Sequence, residues 1–184
     1  MIRVCREDLV TADVECLLRS VSSTLEPLTS LDGRVGSAAG EEVQERIDQI
    51  GELPVGGAVI TPAGELAASF IVHVALQSYE EPVSLTGVRR ALLNGLRSAG
   101  RLGIDTLALA PLGTGAGNLD TEAAADVMLE VIGEYANEQE HPKEVVIMVA
   151  NDYDRDVFTS RLRRGPRGAI ERPDEMGEGP RDGN

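Results

Sequence analysis

The stretch LALAPLGTGAGNLDTEAAADVMLEVIGEY, residues 107–135, constrains this chain more than any other. An apolar run that reads as a strand leads into a loop carrying Gly113, Gly115 and Gly117, and a long amphipathic pattern follows. A strand that feeds a helix through a short turn is the unit of an α/β fold. The glycines remove side chains from the turn, so its backbone N–H groups can approach a ligand closely. A nest of such donors suits phosphate, because it supplies partial positive charge without a cation. The loop contains no Lys or Arg, so any anion held there is held by main chain.

The rest of the chain alternates in the same way. Residues 2–4 read as a short strand, and residues 14–21 (VECLLRSV) fit strand or helix by periodicity alone. Residues 22–40 are polar and small, with Pro27, Gly33 and Gly36, and read as a long loop. A helix is expected from about Gly40, because Val43, Ile47 and Ile50 are spaced i, i+4, i+7 before Gly51. Residues 56–61 and 70–76 read as strands joined by the turn PAGEL. Val88, Ala91, Leu92, Gly95, Leu96 and Ala99 make one stripe of a helix over 86–99, with Gly100 as its stop. Residues 106–111 form the strand before the glycine loop, and Asp120 suits an N-cap. Residues 145–150 (VVIMVA) are apolar throughout, as in a strand buried on both sides. A short helix is expected at 157–162.

This order predicts an α/β three-layer α/β/α sandwich around a mixed, mostly parallel sheet. At 184 residues one domain is expected, over residues 1–163. Residues 164–184 are mostly Gly, Pro and charged residues, with almost no apolar ones, and read as a flexible tail. A formal net charge of −14 argues against nonspecific nucleic-acid or anionic-membrane binding, which needs basic surface. It does not exclude a small phosphorylated ligand, since salt screens a distant field within ~10 Å. Cys5 and Cys16 are too few for a disulfide framework and form no metal motif, so neither metal nor cofactor is expected. The start MIRVCREDLV has no signal-like apolar region, and no apolar run approaches ~18 residues. A cytoplasmic, monomeric protein is the expectation.

Several separate segments, in order, resemble the macrodomain, an ADP-ribose-binding α/β/α module. Glu7-Asp8-Leu9 resembles the family's Gly-Asp-Ile. VECLLRSVS, residues 14–22, lies where the family has a VDAIVNAAN-like strand. LDGRVGSAAGEEV, residues 31–43, resembles a GVDGAIHRAAGEEL-like segment. GGAVITPAGEL and FIVHVAL resemble the central hairpin, and LALAPLGTGAG resembles the strand and PxxGTGxxG-like loop. The resemblance implies an ADP-ribose cleft at the C-terminal ends of the strands. Asp8 would accept from the adenine amine, as an ionised carboxylate only accepts. Leu9, Leu31, Gly33 and Val35 would line the cleft. Pro111, Gly113, Thr114, Gly115, Ala116, Gly117 and Asn118 would wrap the diphosphate and distal ribose. Asn151 would pack on adenine.

Two departures bear on activity. Arg19-Ser20-Val21-Ser22 stands for the family's NAAN, so Ser22 replaces an amide with a shorter hydroxyl. Pro27-Leu28-Thr29-Ser30 replaces a run of glycines, and Pro27 has no N–H to donate. Asp32 aligns with an acidic residue that hydrolytic members place beside the scissile bond, and so becomes the candidate to position or deprotonate a water. As an Asp-Gly pair it equally suits a turn. His73, in an apolar strand without a ligand-spaced partner, reads as a satisfied core residue. The expected function is binding of ADP-ribose or an ADP-ribosylated macromolecule. The alternatives are a hydrolase that removes ADP-ribose or deacetylates O-acetyl-ADP-ribose, and a non-binding scaffold. GTGAGN also fits a dinucleotide fingerprint, but it comes late in the chain and follows Pro111. No Gly-Lys-Ser/Thr follows it, so a Walker loop is not expected.

Overall fold

The computed structural model describes residues 1–115 and 117–165. Six strands form one sheet in the order β1-β6-β5-β2-β4-β3. They are β1 (Ile2–Cys5), β2 (Cys16–Ser22), β3 (Ala58–Pro62), β4 (Phe70–Gln77), β5 (Thr106–Leu109) and β6 (Glu144–Met148). All pairings are parallel except β3 with β4, which are antiparallel. Of the four interior strands, β6 and β5 are apolar almost throughout and β4 nearly so, because both their faces are covered, whereas β2 also carries Arg19 and Ser20. Leu107, Leu109, Val145 and Ile147 enter one core layer, while Ala108, Val146 and Met148 enter the other.

Helices α1 (Ser30–Ala39) and α2 (Glu41–Ile50) cover one face. Helices α3 (Leu85–Arg101), α4 (Thr121–Glu138) and α5 (Asp152–Arg164) cover the other. The expected three-layer sandwich with a mixed, mostly parallel sheet is therefore what forms. Among the described residues no helix is long and apolar enough to cross a membrane.

Residues 14–21, left open between strand and helix, are strand β2. The largest correction is α1, which lies inside the segment read as loop. Only Val35, Ala39 and Asp32 of this helix are buried, and Gly33 and Gly36 depress its propensity, so no stripe reveals it. What starts it is a capping box: Thr29 accepts from the Asp32 amide while Asp32 accepts from the Thr29 amide. Gly100 is not the stop of α3; the helix runs one residue past it, and the left-handed glycine is Gly103 at φ 69°. Helix α5 starts earlier than the periodicity suggests, because Asn151 caps it. It also includes Arg164, the first residue of the segment read as tail. The tail from residue 166 onward lies outside the described residues, as does Ala116 of the glycine loop.

Candidate functional site

Parallel strands end on one side of the sheet, so the loops after β1, β6, β5, β2 and β4 line one edge of the molecule. A cleft of about 440 Å³ opens there, between the turn after β1, the start of α1 and the end of β6. Asp8, Leu9, Leu31, Arg34 and Ala150 are among its walls. Asp8 caps a single 3-10 turn, Leu9–Thr11, by accepting from the Val10 amide at 3.1 Å. Its second oxygen pairs with Arg34 of α1. The Val10 amide and then Arg34 hold the Asp8 carboxyl below its ordinary range. Ser30 and Leu31 open α1 beside this carboxylate and also line the cleft. Amides in a first helical turn lack intrahelical acceptors and point outward along the axis. The cleft thus offers an acidic acceptor at one end and amide donors near it. Two arginines also line it, Arg6 toward Asp152 at 3.3 Å and Arg34 toward Asp8.

Several anticipated residues are placed differently. Val35 is fully buried in the core beneath α1 and presents nothing to the cleft. Gly33 faces Pro27, on the opposite flank of α1, and lines a different hollow. Asn151 spends its side chain on Asp154, accepting from the amide at 2.8 Å and donating to the carboxylate at 2.9 Å. Ser22 belongs to a tight turn, where its hydroxyl shares a hydrogen bond with Thr24 at 2.9 Å and accepts from the Glu26 amide.

Asp32 is the most altered. It lies in the first turn of α1, not in an Asp-Gly turn, and is only 5% exposed. Its carboxylate accepts from the Ser20 amide (3.1 Å), the Ser20 hydroxyl (2.7 Å), the Thr29 amide (3.1 Å) and the Thr29 hydroxyl (2.7 Å). Oδ2 takes three of these donors and Oδ1 takes one. A group so bound and so buried holds a helix start and a strand end together.

The glycine loop sits across from this cap. Gly113 has φ 80°, a conformation a Cβ would strain, and the Leu119 amide donates back to its carbonyl at 3.1 Å. The other left-handed residue is Asn118 at φ 48°, which is exposed; Gly115 needs no such freedom. Gly115 and Gly117 instead allow close approach. A Cβ at Gly115 would stand 3.1 Å from the Thr29 methyl, and one at Gly117 would stand 2.5 Å from Val83. Pro111, Gly113, Leu28, Thr29 and Val83 enclose a void of only about 20 Å³. Thr114 is half-buried beside them. Asp120 caps α4 through the Ala123 amide at 2.9 Å, which keeps the helix end for itself.

His73 is buried, as expected, and bridges Arg19 and Thr61. It accepts from Arg19 Nε at 2.9 Å and shares a hydrogen bond with the Thr61 hydroxyl at 2.8 Å. Burial, and then the Arg19 charge, push its pKa down to about 3. The folded state therefore holds it neutral, while the unfolded chain protonates below its ordinary 6.5. Its contribution to stability is complete above pH 6.5 and declines toward pH 3, by roughly tenfold in the folding constant per pH unit. Urea titrations of wild type and His73→Asn at about pH 7 and about pH 4.5 check this, as the wild type should lose its advantage in acid. Parallel losses would assign the titration to other groups. Among the described residues no cluster of His, Cys, Asp and Glu could hold a metal ion.

Sequence reading missed Arg34, Arg6, Val83 and the amides of Ser30 and Leu31. Arg34 stands three residues after Leu31 within the resembling segment, so its face of α1 was available once a helix was assumed. Val83 had no local signal, because it meets the glycine loop only through the tertiary fold.

The Macro domain family profile matches residues 20–128, which include the end of β2, α1 and the glycine loop. The chain belongs to this family. A macro domain-containing protein of Caldanaerobacter subterraneus subsp. tengcongensis is 27% identical, over 86% of this chain and 93% of its own. An O-acetyl-ADP-ribose deacetylase of Enterobacter sp. is also 27% identical, over 88% and 93%. The Oceanobacillus iheyensis macrodomain with ADP superimposes with a TM-score of 0.78 at 17% identity, covering 88% of this chain and 89% of that one. A six-stranded mixed sheet between two helical layers is the fold they share.

Proposed function

We propose that this chain binds the adenosine diphosphate part of ADP-ribose or of an ADP-ribosyl derivative, without turning it over through Asp32. The cleft that carries Asp8 and the opening amides of α1 supports this reading most strongly. Adenine sits beside Asp8, whose oxygens retain lone pairs after accepting from Val10 and Arg34. The diphosphate lies toward Ser30, Leu31 and the glycine-loop amides, where backbone dipoles and Arg34 favour negative charge. The Oceanobacillus iheyensis and Trypanosoma brucei macrodomain structures with ADP support the same nucleotide class. The relatives named as O-acetyl-ADP-ribose deacetylases support an ADP-ribosyl ligand. Burial of the Asp32 carboxylate and its four donors argue against its serving as the base here.

The distal ribose is a different matter. Its path runs between Thr29 and Val83, where about 20 Å³ is room for about one water and far too little for a ribose. Calorimetry should give similar affinities for ADP and ADP-ribose, within about threefold, and at least tenfold weaker binding of AMP. No heat from ADP at about millimolar concentration would end the proposal. Asp8→Asn should weaken ADP by about tenfold, because a neutral amide is a poorer acceptor than a carboxylate. An unchanged affinity would move adenine elsewhere.

A further inference from the structure

Arg19 is a cation buried to 3% exposure, in a strand whose other central residues are aliphatic or small. Its guanidinium carries five N–H donors. Two are spent on protein: Nε donates to His73 and Nη1 to the Asp32 carbonyl at 2.9 Å. Both acceptors are neutral. Among the described residues no carboxylate forms an ion pair with it. Asp32 and Glu26 are near enough to act through space, but neither forms an ion pair with it, and the Asp32 carboxylate is turned to Ser20 and Thr29. A buried charge without a charged partner is costly, so its remaining donors should face something that compensates it.

They face outward. Arg19 floors an open hollow of about 430 Å³ between the turn at Glu26-Pro27 and the flank shared by α1 and α2. Glycine at position 36 lets the guanidinium lie against α1, since a methyl there would collide with Arg19 Nη1. Gln44 stands at its rim as a neutral hydrogen-bonding group, and Glu26 and Glu41 stand there as acids. This site is separate from the nucleotide cleft, which lies on the Leu31–Arg34 side of α1.

We infer that this hollow is a second binding site, one that accepts a single carboxylate against the Arg19 guanidinium. Arginine's parallel N–H groups match a carboxylate in a planar, two-point contact. The glutamates on the rim set the selectivity. One negative charge is compensated by Arg19, whereas a dianion leaves an excess that Glu26 and Glu41 repel. The ligand class is therefore a carboxylate such as an acidic side chain or a chain terminus, in preference to a phosphate.

The test follows the Arg19 Nε–H resonance by NMR in the full chain. It uses acetate, acetamide and inorganic phosphate, each to ~0.1 M, about tenfold above a Kd of ~10 mM. A saturable shift with acetate, none with acetamide and a weaker response to phosphate is the expected pattern. Glu26→Gln, a change on the rim, should tighten acetate by about threefold by removing one like charge. Gly36→Ala should abolish the acetate shift; should that variant not fold, the wild-type and Glu26→Gln titrations decide alone. No saturable acetate shift, or equal shifts with acetate and acetamide, would overturn the site. Phosphate binding as well as acetate would overturn the carboxylate assignment.

Discussion

Asp32→Ala is expected to lower folding stability by about 3–5 kcal/mol, the range for losing a buried charged group that several donors share. The cost has three sources. Helix α1 loses the carboxylate half of its capping box, worth about 0.5–2 kcal/mol. The Ser20 amide and hydroxyl lose their acceptor in a buried position, at about 1–3 kcal/mol for each group left unmet. Arg19 loses the nearest negative charge that offsets its burial. At a urea slope near 2 kcal/mol/M, the midpoint should fall by about 1.5–2.5 M. A drop of under about 1 kcal/mol would mean that the carboxylate is not holding α1 to β2. Asp32→Asn, which keeps one acceptor oxygen, should lie between wild type and alanine. Any loss of ligand binding in Asp32→Ala is then to be weighed against the folded fraction before a catalytic role is inferred.

The second large effect is a gain of selectivity. Leu28→Ala combined with Val83→Ala should raise affinity for ADP-ribose by at least about tenfold relative to ADP, or about 1.4 kcal/mol. Val83 abuts Gly117 and Gly113, and Leu28 closes the same void from the turn after β2. Shortening both opens a path between Thr29 and the glycine loop. The cost in stability should be about 1–3 kcal/mol per site, because both side chains are only partly buried. Calorimetry on the folded double variant decides the matter. If ADP and ADP-ribose remain within about threefold, the void is not on the ligand's path.

What could be read from sequence, and what could not, divides along physical lines. Strands β5 and β6 and helices α2, α3 and α4 carry periodic or continuous apolar patterns, because burial alone selects those residues. Helix α1 carries almost none: Leu31, Val35 and Ala39 are interrupted by two glycines, and the Thr29–Asp32 cap was its sole local mark. The Asp-Gly pair pointed to a turn because that signal is local, while two of the four donors that fix Asp32 come from Ser20 in β2, more than ten residues earlier. The glycine loop was legible as a strand-to-helix turn. Its closure was not, since Val83 reaches it from the segment between β4 and α3. His73 was read correctly as satisfied, yet its partner Arg19 was visible only as a departure from the resembling NAAN pattern.

The sheet order has a consequence for synthesis. Strand β1 touches the sheet only through β6, with Ile2 opposite Val145. The segment bearing Asp8 therefore waits, without a strand to pair with, until residues 144–148 leave the ribosome. A nascent chain lacking them has no β6 to complete the cleft beside Asp8. On the proposed function, nucleotide capture is expected only after the last strand is made, and a product truncated before β6 should fail to bind ADP.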